Sequence, residues 1–100
     1  MRLALAQINP TVGDFKGNLK KIKTFIEEAD SKGADLVAFP ELALSGYMPE
    51  DLLLREDFLK ACQETLKEVV SYSQNHNIVI AVGYPKLSEE GFLYNTLGLI

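Results

Sequence analysis

Thiols and imidazoles are almost missing from this 100-residue sequence, which has one cysteine, Cys62, and one histidine, His76. A lone cysteine closes no internal disulfide, which fits a reducing cytoplasm. One Cys and one His without ligand-type spacing argue against a zinc site built by the chain itself. The seven glycines form neither G-x-G-x-x-G nor G-x-x-x-x-G-K, so a phosphate cradle of either type is missing. No apolar stretch reaches membrane-spanning length. The opening MRLALAQINP is broken by Gln7, Asn9 and Pro10 too early for a signal-peptide core. Positive charge is in deficit too: ten Lys and Arg face fourteen Asp and Glu, for a net charge of −4. That balance argues against a nucleic-acid surface, which needs a basic stripe. These absences leave a soluble, cytoplasmic protein with neither a nucleic-acid nor a membrane partner.

What is present is a globular composition, 47% hydrophobic and 24% charged, in a length that allows one ordinary domain at most. Arg2–Ile8 reads as a strand, turned by Pro10 and Gly13. A helix capped by Asp14 or Asn18 follows, with Leu19, Ile22, Phe25, Ile26 and Ala29 at three-and-four spacing. Gly33 suits its C-terminal cap. Leu36–Phe39 is a short continuous apolar run, as in a strand covered on both faces, and Pro40 ends it because it cannot donate to a ladder. Pro49 opens a short helical turn, and a longer helix runs from Glu56 to Asn75. Ile78–Tyr84 and Phe92–Ile100 read as strands, separated by a PKLSEEG turn. The order β-α-β-α-β-β predicts an α/β sandwich. FLYNTLGLI stops inside an apolar run, so the expectation is the first part of a larger domain.

The residue that raises a chemical question is Glu41. It follows Phe39-Pro40 at the carboxyl end of a strand, where α/β folds tend to place their chemistry. A solvated loop acid is the competing reading. Cys62 shares a helical stripe with Leu59, Leu66 and Val69, which makes it a small apolar core residue rather than a nucleophile. His76 stands where it can cap a helix C-terminus. Glu27, Glu28 and Asp30 read as a solvated helix face. Glu50 and Asp51 favour a helix start electrostatically. Tyr47 either holds a ligand through its hydroxyl or packs its ring with a wet tip. Asn95, inside an apolar strand, is either a satisfied edge residue or an organiser of a neighbouring site.

Read together, RLALAQINPTVGDFKGNLKKI, GADLVAFPELALSGY and GFLYNTLGLI resemble the opening of the nitrilase, or carbon–nitrogen hydrolase, superfamily across nearly the whole chain. FPEL followed by Gly46-Tyr47 carries most of that likeness. GYMPEDLLLREDFL is similar to the glutaminase domains of glutamine-dependent NAD synthetases, with Met48 departing from the proline common there. The resemblance implies an α-β-β-α sandwich and a Glu–Lys–Cys catalytic set. It makes Glu41 the general base and Tyr47 a residue of the amide pocket. The family's lysine and cysteine lie beyond Ile100, and Cys62 does not match the nucleophile position. The implied reaction is thiolate attack on the glutamine amide, a thioester, ammonia release and hydrolysis to glutamate. The ammonia amidates deamido-NAD at the expense of ATP in a further domain, which would hold Mg²⁺-ATP. A homo-oligomer is implied for the full-length enzyme, and no cofactor for this segment. A carboxylate shielded by strand and loop has a raised pKa, suited to exchanging protons near neutrality. A stand-alone amidase on another small amide and a non-catalytic α/β binding module remain the alternatives.

Overall fold

The computed structural model describes residues 1–100 and contains β1 (Leu3–Leu5), α1 (Phe15–Ser31), β2 (Leu36–Ala38), a 3₁₀ turn (Glu50–Leu54), α2 (Glu56–Ser73), β3 (Val79–Leu87) and β4 (Leu93–Leu99). The strands lie in the order β1-β2-β3-β4, with the first three parallel and β4 antiparallel to β3. Parallel neighbours need crossovers, and α1 and α2 provide them.

Asp14 caps α1, its carboxylate accepting from the Gly17 N–H at 3.0 Å. From there Leu19, Ile22, Ile26 and Ala29 recur on one face and are buried. They share a single core with Val37 of β2, Ile80 and Val82 of β3, and Cys62 and Val69 of α2. Phe15 and Phe58 join the two helix starts at a ring separation of 5.2 Å. Both helices therefore cover the same face of the sheet.

Side chains alternate across a strand, so the next residue along each strand faces the other way. On that other face Leu5 is 69% exposed and Leu99 70%, with Leu3, Val79 and Leu97 also exposed. The chain thus forms one helix layer and one sheet of the expected sandwich, and these residues contain no second sheet.

Two strands differ from the sequence expectation by more than two residues at one end. β1 is shorter than Arg2–Ile8, although the Ala6 N–H still donates to Ala38 O at 2.9 Å. β3 runs through Pro85 to Leu87, where a turn was expected. Ile80 and Ile100 exchange both backbone bonds, at 2.9 Å each, and such bonded pairs recur at every second residue of an antiparallel ladder. Pro85, opposite Asn95, falls on the alternate parity. Its missing N–H points to the side where β2 has already ended, so the ladder loses no bond.

Candidate active site

β2 delivers its chain to the site through Phe39, whose N–H donates to Ala81 O at 2.9 Å. Pro40 then ends the ladder, and Glu41 starts a turn whose next five residues, Leu42 to Gly46, are all buried. Leu42 has φ 51°, a left-handed conformation that costs a non-glycine residue about 1–2 kcal/mol. Such a backbone persists only where its surroundings hold it.

Here they hold it from two sides. On the sheet side, the Leu44 N–H donates to Gly83 O at 3.3 Å. A Cβ on Gly83 would stand 2.7 Å from the Leu42 nitrogen, so the turn lies directly against the β3 backbone. Toward α1, the Gly13 N–H donates to Ser45 O at 3.0 Å. Gly46 has φ 87°, and a Cβ there would meet Val12 backbone atoms at 2.5 Å. Within the turn, the Gly46 N–H donates to Leu42 O at 2.8 Å.

Asn18 joins both loops. It is fully buried, accepts from the Thr11 N–H at 2.8 Å, and donates to Thr11 O at 2.8 Å and Leu44 O at 3.1 Å. Its carboxamide is satisfied without water, as a buried polar group must be. The sequence expectation for Asn18 was a helix cap. Asp14 holds that role, and Asn18 acts one turn further in. Asn18 and Gly83 are the positioning residues that the sequence reading missed.

The Glu41 side chain is exposed and looks into an open cavity of about 360 Å³ lined by Phe39, Gly83, Asn95, Thr96 and Leu97. The Asn95 carboxamide donates to Glu41 Oε1, the contact that an organiser of a neighbouring site would make. The expected shielding of Glu41 by strand and loop is not found, because the turn buries its own backbone and directs the carboxylate outward. No Lys, Cys or His lines the cavity. Tyr47 is 55% exposed and does not line it.

Cys62 is fully buried, and that burial pushes its thiol up to about 12. A thiol raised this way stays protonated and is a poor nucleophile at neutral pH. It behaves as core. His76 Nδ1 lies 3.0 Å from Tyr72 O, as a C-terminal cap would. Its Nε2 lies 2.8 Å from Glu27 Oε1, which also accepts from the Tyr72 hydroxyl. Glu27 is therefore a cross-helix partner rather than part of a freely solvated face. Nowhere do three or more His, Cys, Asp or Glu side chains converge as metal ligands. No helix is long and apolar enough to cross a membrane.

Comparison with known proteins sets this geometry among relatives. Residues 2–100 match the family described as carbon-nitrogen hydrolase. The chain is 45% identical over 100 residues to the glutamine-dependent NAD(+) synthetase of Aquifex aeolicus, spanning 100% of this chain and 17% of that protein. A crystal structure of a glutamine-dependent NAD(+) synthetase from Cytophaga hutchinsonii matches with TM-score 0.92 and 30% identity, over 100% of this chain and 17% of that one. An amidase from Nesterenkonia sp. matches with TM-score 0.81 and 25% identity, over 99% of this chain and 37% of the amidase. The chain thus spans 17% of the length of the Aquifex relative, so those proteins contain much that has no counterpart in these residues.

Proposed function

The chain belongs to the carbon–nitrogen hydrolase family, and from that membership we propose that it supplies the glutamate-bearing part of a glutaminase that feeds ammonia to NAD synthesis. The observation that carries the reading is the Glu41 turn. A carboxylate at the end of a parallel strand, its backbone fixed from two sides, occurs in a chain that aligns from end to end with a glutamine-dependent NAD(+) synthetase.

In this reading Glu41 is the general base. It takes the proton of a cysteine thiol that lies beyond Ile100, and the thiolate adds to the side-chain carbonyl carbon of glutamine. A lysine, also beyond Ile100, stabilises the oxyanion. The C–N bond breaks, the nitrogen leaves as ammonia with the proton returned by Glu41, and a thioester remains. Glu41 then removes a proton from water as the water attacks, and glutamate and the free thiol are released. A fixed turn suits this work because small errors in placing a base slow proton transfer. Tyr47 belongs to the amide pocket by family resemblance alone. The ammonia amidates deamido-NAD in a separate ligase domain that binds ATP and Mg²⁺. The residues here offer no phosphate cradle, and none is assigned to that nucleotide. The enzyme is cytoplasmic and homo-oligomeric in this proposal, with glutamine as its small-molecule partner.

The test is isotopic. The complete gene product is incubated with deamido-NAD, ATP and glutamine labelled with ¹⁵N in its amide. The expected result is label in the carboxamide of newly formed NAD. Labelled ammonium released with no NAD formed would point to a stand-alone amidase. Absence of both products would leave a binding module.

A further inference from the structure

We propose that Asn95 is a positioning residue for the general base, fixing one oxygen of Glu41 so that the other exchanges the proton. The inference rests on the glutaminase reading above. Its starting point is an anomaly of composition. Leu93, Leu97 and Leu99 point to the same face of β4 as Asn95, yet that position carries a carboxamide, which strands otherwise disfavour. It is also the residue whose side chain donates to the Glu41 carboxylate, through Nδ2 to Oε1.

The sheet fixes the backbone from which Asn95 makes this contact. Asn95 pairs with Pro85 inside a seven-residue antiparallel register, so β3 and β4 place its Cα to within the tolerance of a sheet ladder. Two residues back from Pro85 on the same strand, Gly83 takes the Glu41–Leu42 backbone into close contact. The backbone and the carboxylate of Glu41 are thus held by neighbouring points of one β-hairpin. A carboxylate with one oxygen engaged by a neutral donor keeps its other oxygen free for a proton. The donor carries no charge, so it orients the base without forming an ion pair that would hold it deprotonated. Phe39, Gly83, Thr96 and Leu97, the other lining residues, carry no group that could take over this bond to the carboxylate side chain except the Thr96 hydroxyl. Thr96 is paired with Tyr84, and alternation turns its side chain to the helix-covered face.

The experiment compares Asn95→Ala, Asn95→Asp and Asn95→Gln in the complete gene product, with Glu41→Gln as reference. NAD formation is followed with glutamine and, in parallel, with ammonium. Asn95→Ala should lower the glutamine-driven kcat by roughly 10- to 100-fold, the scale expected of a misplaced catalytic group, with KM nearly unchanged. Asn95→Asp, equal in size to Asn, should lose more because it sets a carboxylate against a carboxylate. Asn95→Gln should recover part of the rate through its donor. Ammonium-driven synthesis should stay at the wild-type rate in all three. If Ala and Asp keep the wild-type kcat while Glu41→Gln collapses, Asn95 positions nothing and only the glutaminase reading survives. If Ala, Asp and Gln lose equally and ammonium-driven synthesis falls with them, Asn95 is merely structural and the proposal is overturned. A Glu41→Gln enzyme that keeps its glutamine rate removes the reading of Glu41 itself, and the proposal falls with it.

Discussion

Two glutamates of this chain accept hydrogen bonds from distant residues, and they differ in a way that bears on function. Glu27, in the middle of α1, accepts from Tyr72 and from His76 of the neighbouring helix region. Those bonds, Tyr72 first and His76 second, hold its carboxyl below the usual range. His76 is raised in return, chiefly by its bond to Glu27. Tyr72 is pushed up to about 12, by burial and then by Glu27. Glu41 accepts one side-chain bond, from Asn95. The lowered carboxyl of Glu27 is what structural ion pairs commonly produce, and does not by itself mark a catalytic group. The backbones distinguish the two. Glu27 sits on an ordinary helix beside a groove shared with Lys16, Lys20 and Lys23. Glu41 sits at a strand end, in a turn fixed by Gly83, Gly46 and Asn18, and faces a cavity. Fixed placement, not the number of bonds, marks the candidate base.

The largest contrast should come from removing each charge in turn. Glu41→Gln in the complete gene product should lower glutamine-driven NAD formation by roughly 10²–10⁴, the usual loss with a general base. Glu27→Gln should stay within about twofold, because its bonds serve helix packing at an exposed surface. Paired initial rates decide the point, and equal losses would erase the distinction.

The turn itself can be broken next. Gly46→Ala combines a left-handed φ with backbone contact at 2.5 Å, and should cost about 2–4 kcal/mol in urea denaturation. Gly83→Ala has no such φ and should cost less, about 1–3 kcal/mol, while still lowering the glutamine rate by displacing Leu42. A Gly83→Ala enzyme with unchanged glutamine kinetics would separate the β3 contact from function. Smaller again is Cys62→Ala, expected to cost about 1–2 kcal/mol with glutamine-driven activity retained. Loss of that activity in a folded variant would return Cys62 to the list of nucleophiles.

The Glu27 cluster should give the smallest effect, and one that depends on pH. His76 is raised above its ordinary 6.5, so its stabilisation is full below that value and fades as pH rises through the raised one. Glu27 is lowered from 4.5, so its share is full above that value and fades as pH falls through the depressed one. The Tm difference between wild type and His76→Gln should therefore peak between about pH 4.5 and 6.5 and shrink on both sides. A difference that grows toward pH 9 would show that the pair does not act as drawn.

Much of this was legible in the residues. Three-and-four spacing located α1, Pro40 ended β2 where the ladder ends, and the apolar stripe placed Cys62 in the core. Glu41 could be singled out because its strand is so plainly apolar. Asn18 was readable in principle, since it shares the stripe of Ile22 and Ile26 and a polar residue there must find partners. Its partners, Thr11 and Leu44, come from two loops that only the tertiary fold brings together. The passage of β3 through Pro85 depends on ladder parity, which local propensity does not encode. The Glu27–His76 contact spans 49 residues and joins two elements through a packing angle that no pattern prescribes.

Substituting Glu41→Asp tests placement more directly than removing the charge. The substitution keeps the carboxylate and withdraws it by one methylene from Asn95 and from the cavity. The measurement is the ratio of glutamine-driven to ammonium-driven NAD formation in the complete gene product, with Glu27→Asp alongside. Glu41→Asp should lower this ratio by about 10², the scale of a roughly 1 Å misplacement, while Glu27→Asp should leave it unchanged. A Glu41→Asp enzyme with the wild-type ratio would show that any carboxylate near this strand end suffices, and the claim that the turn exists to place it would be wrong.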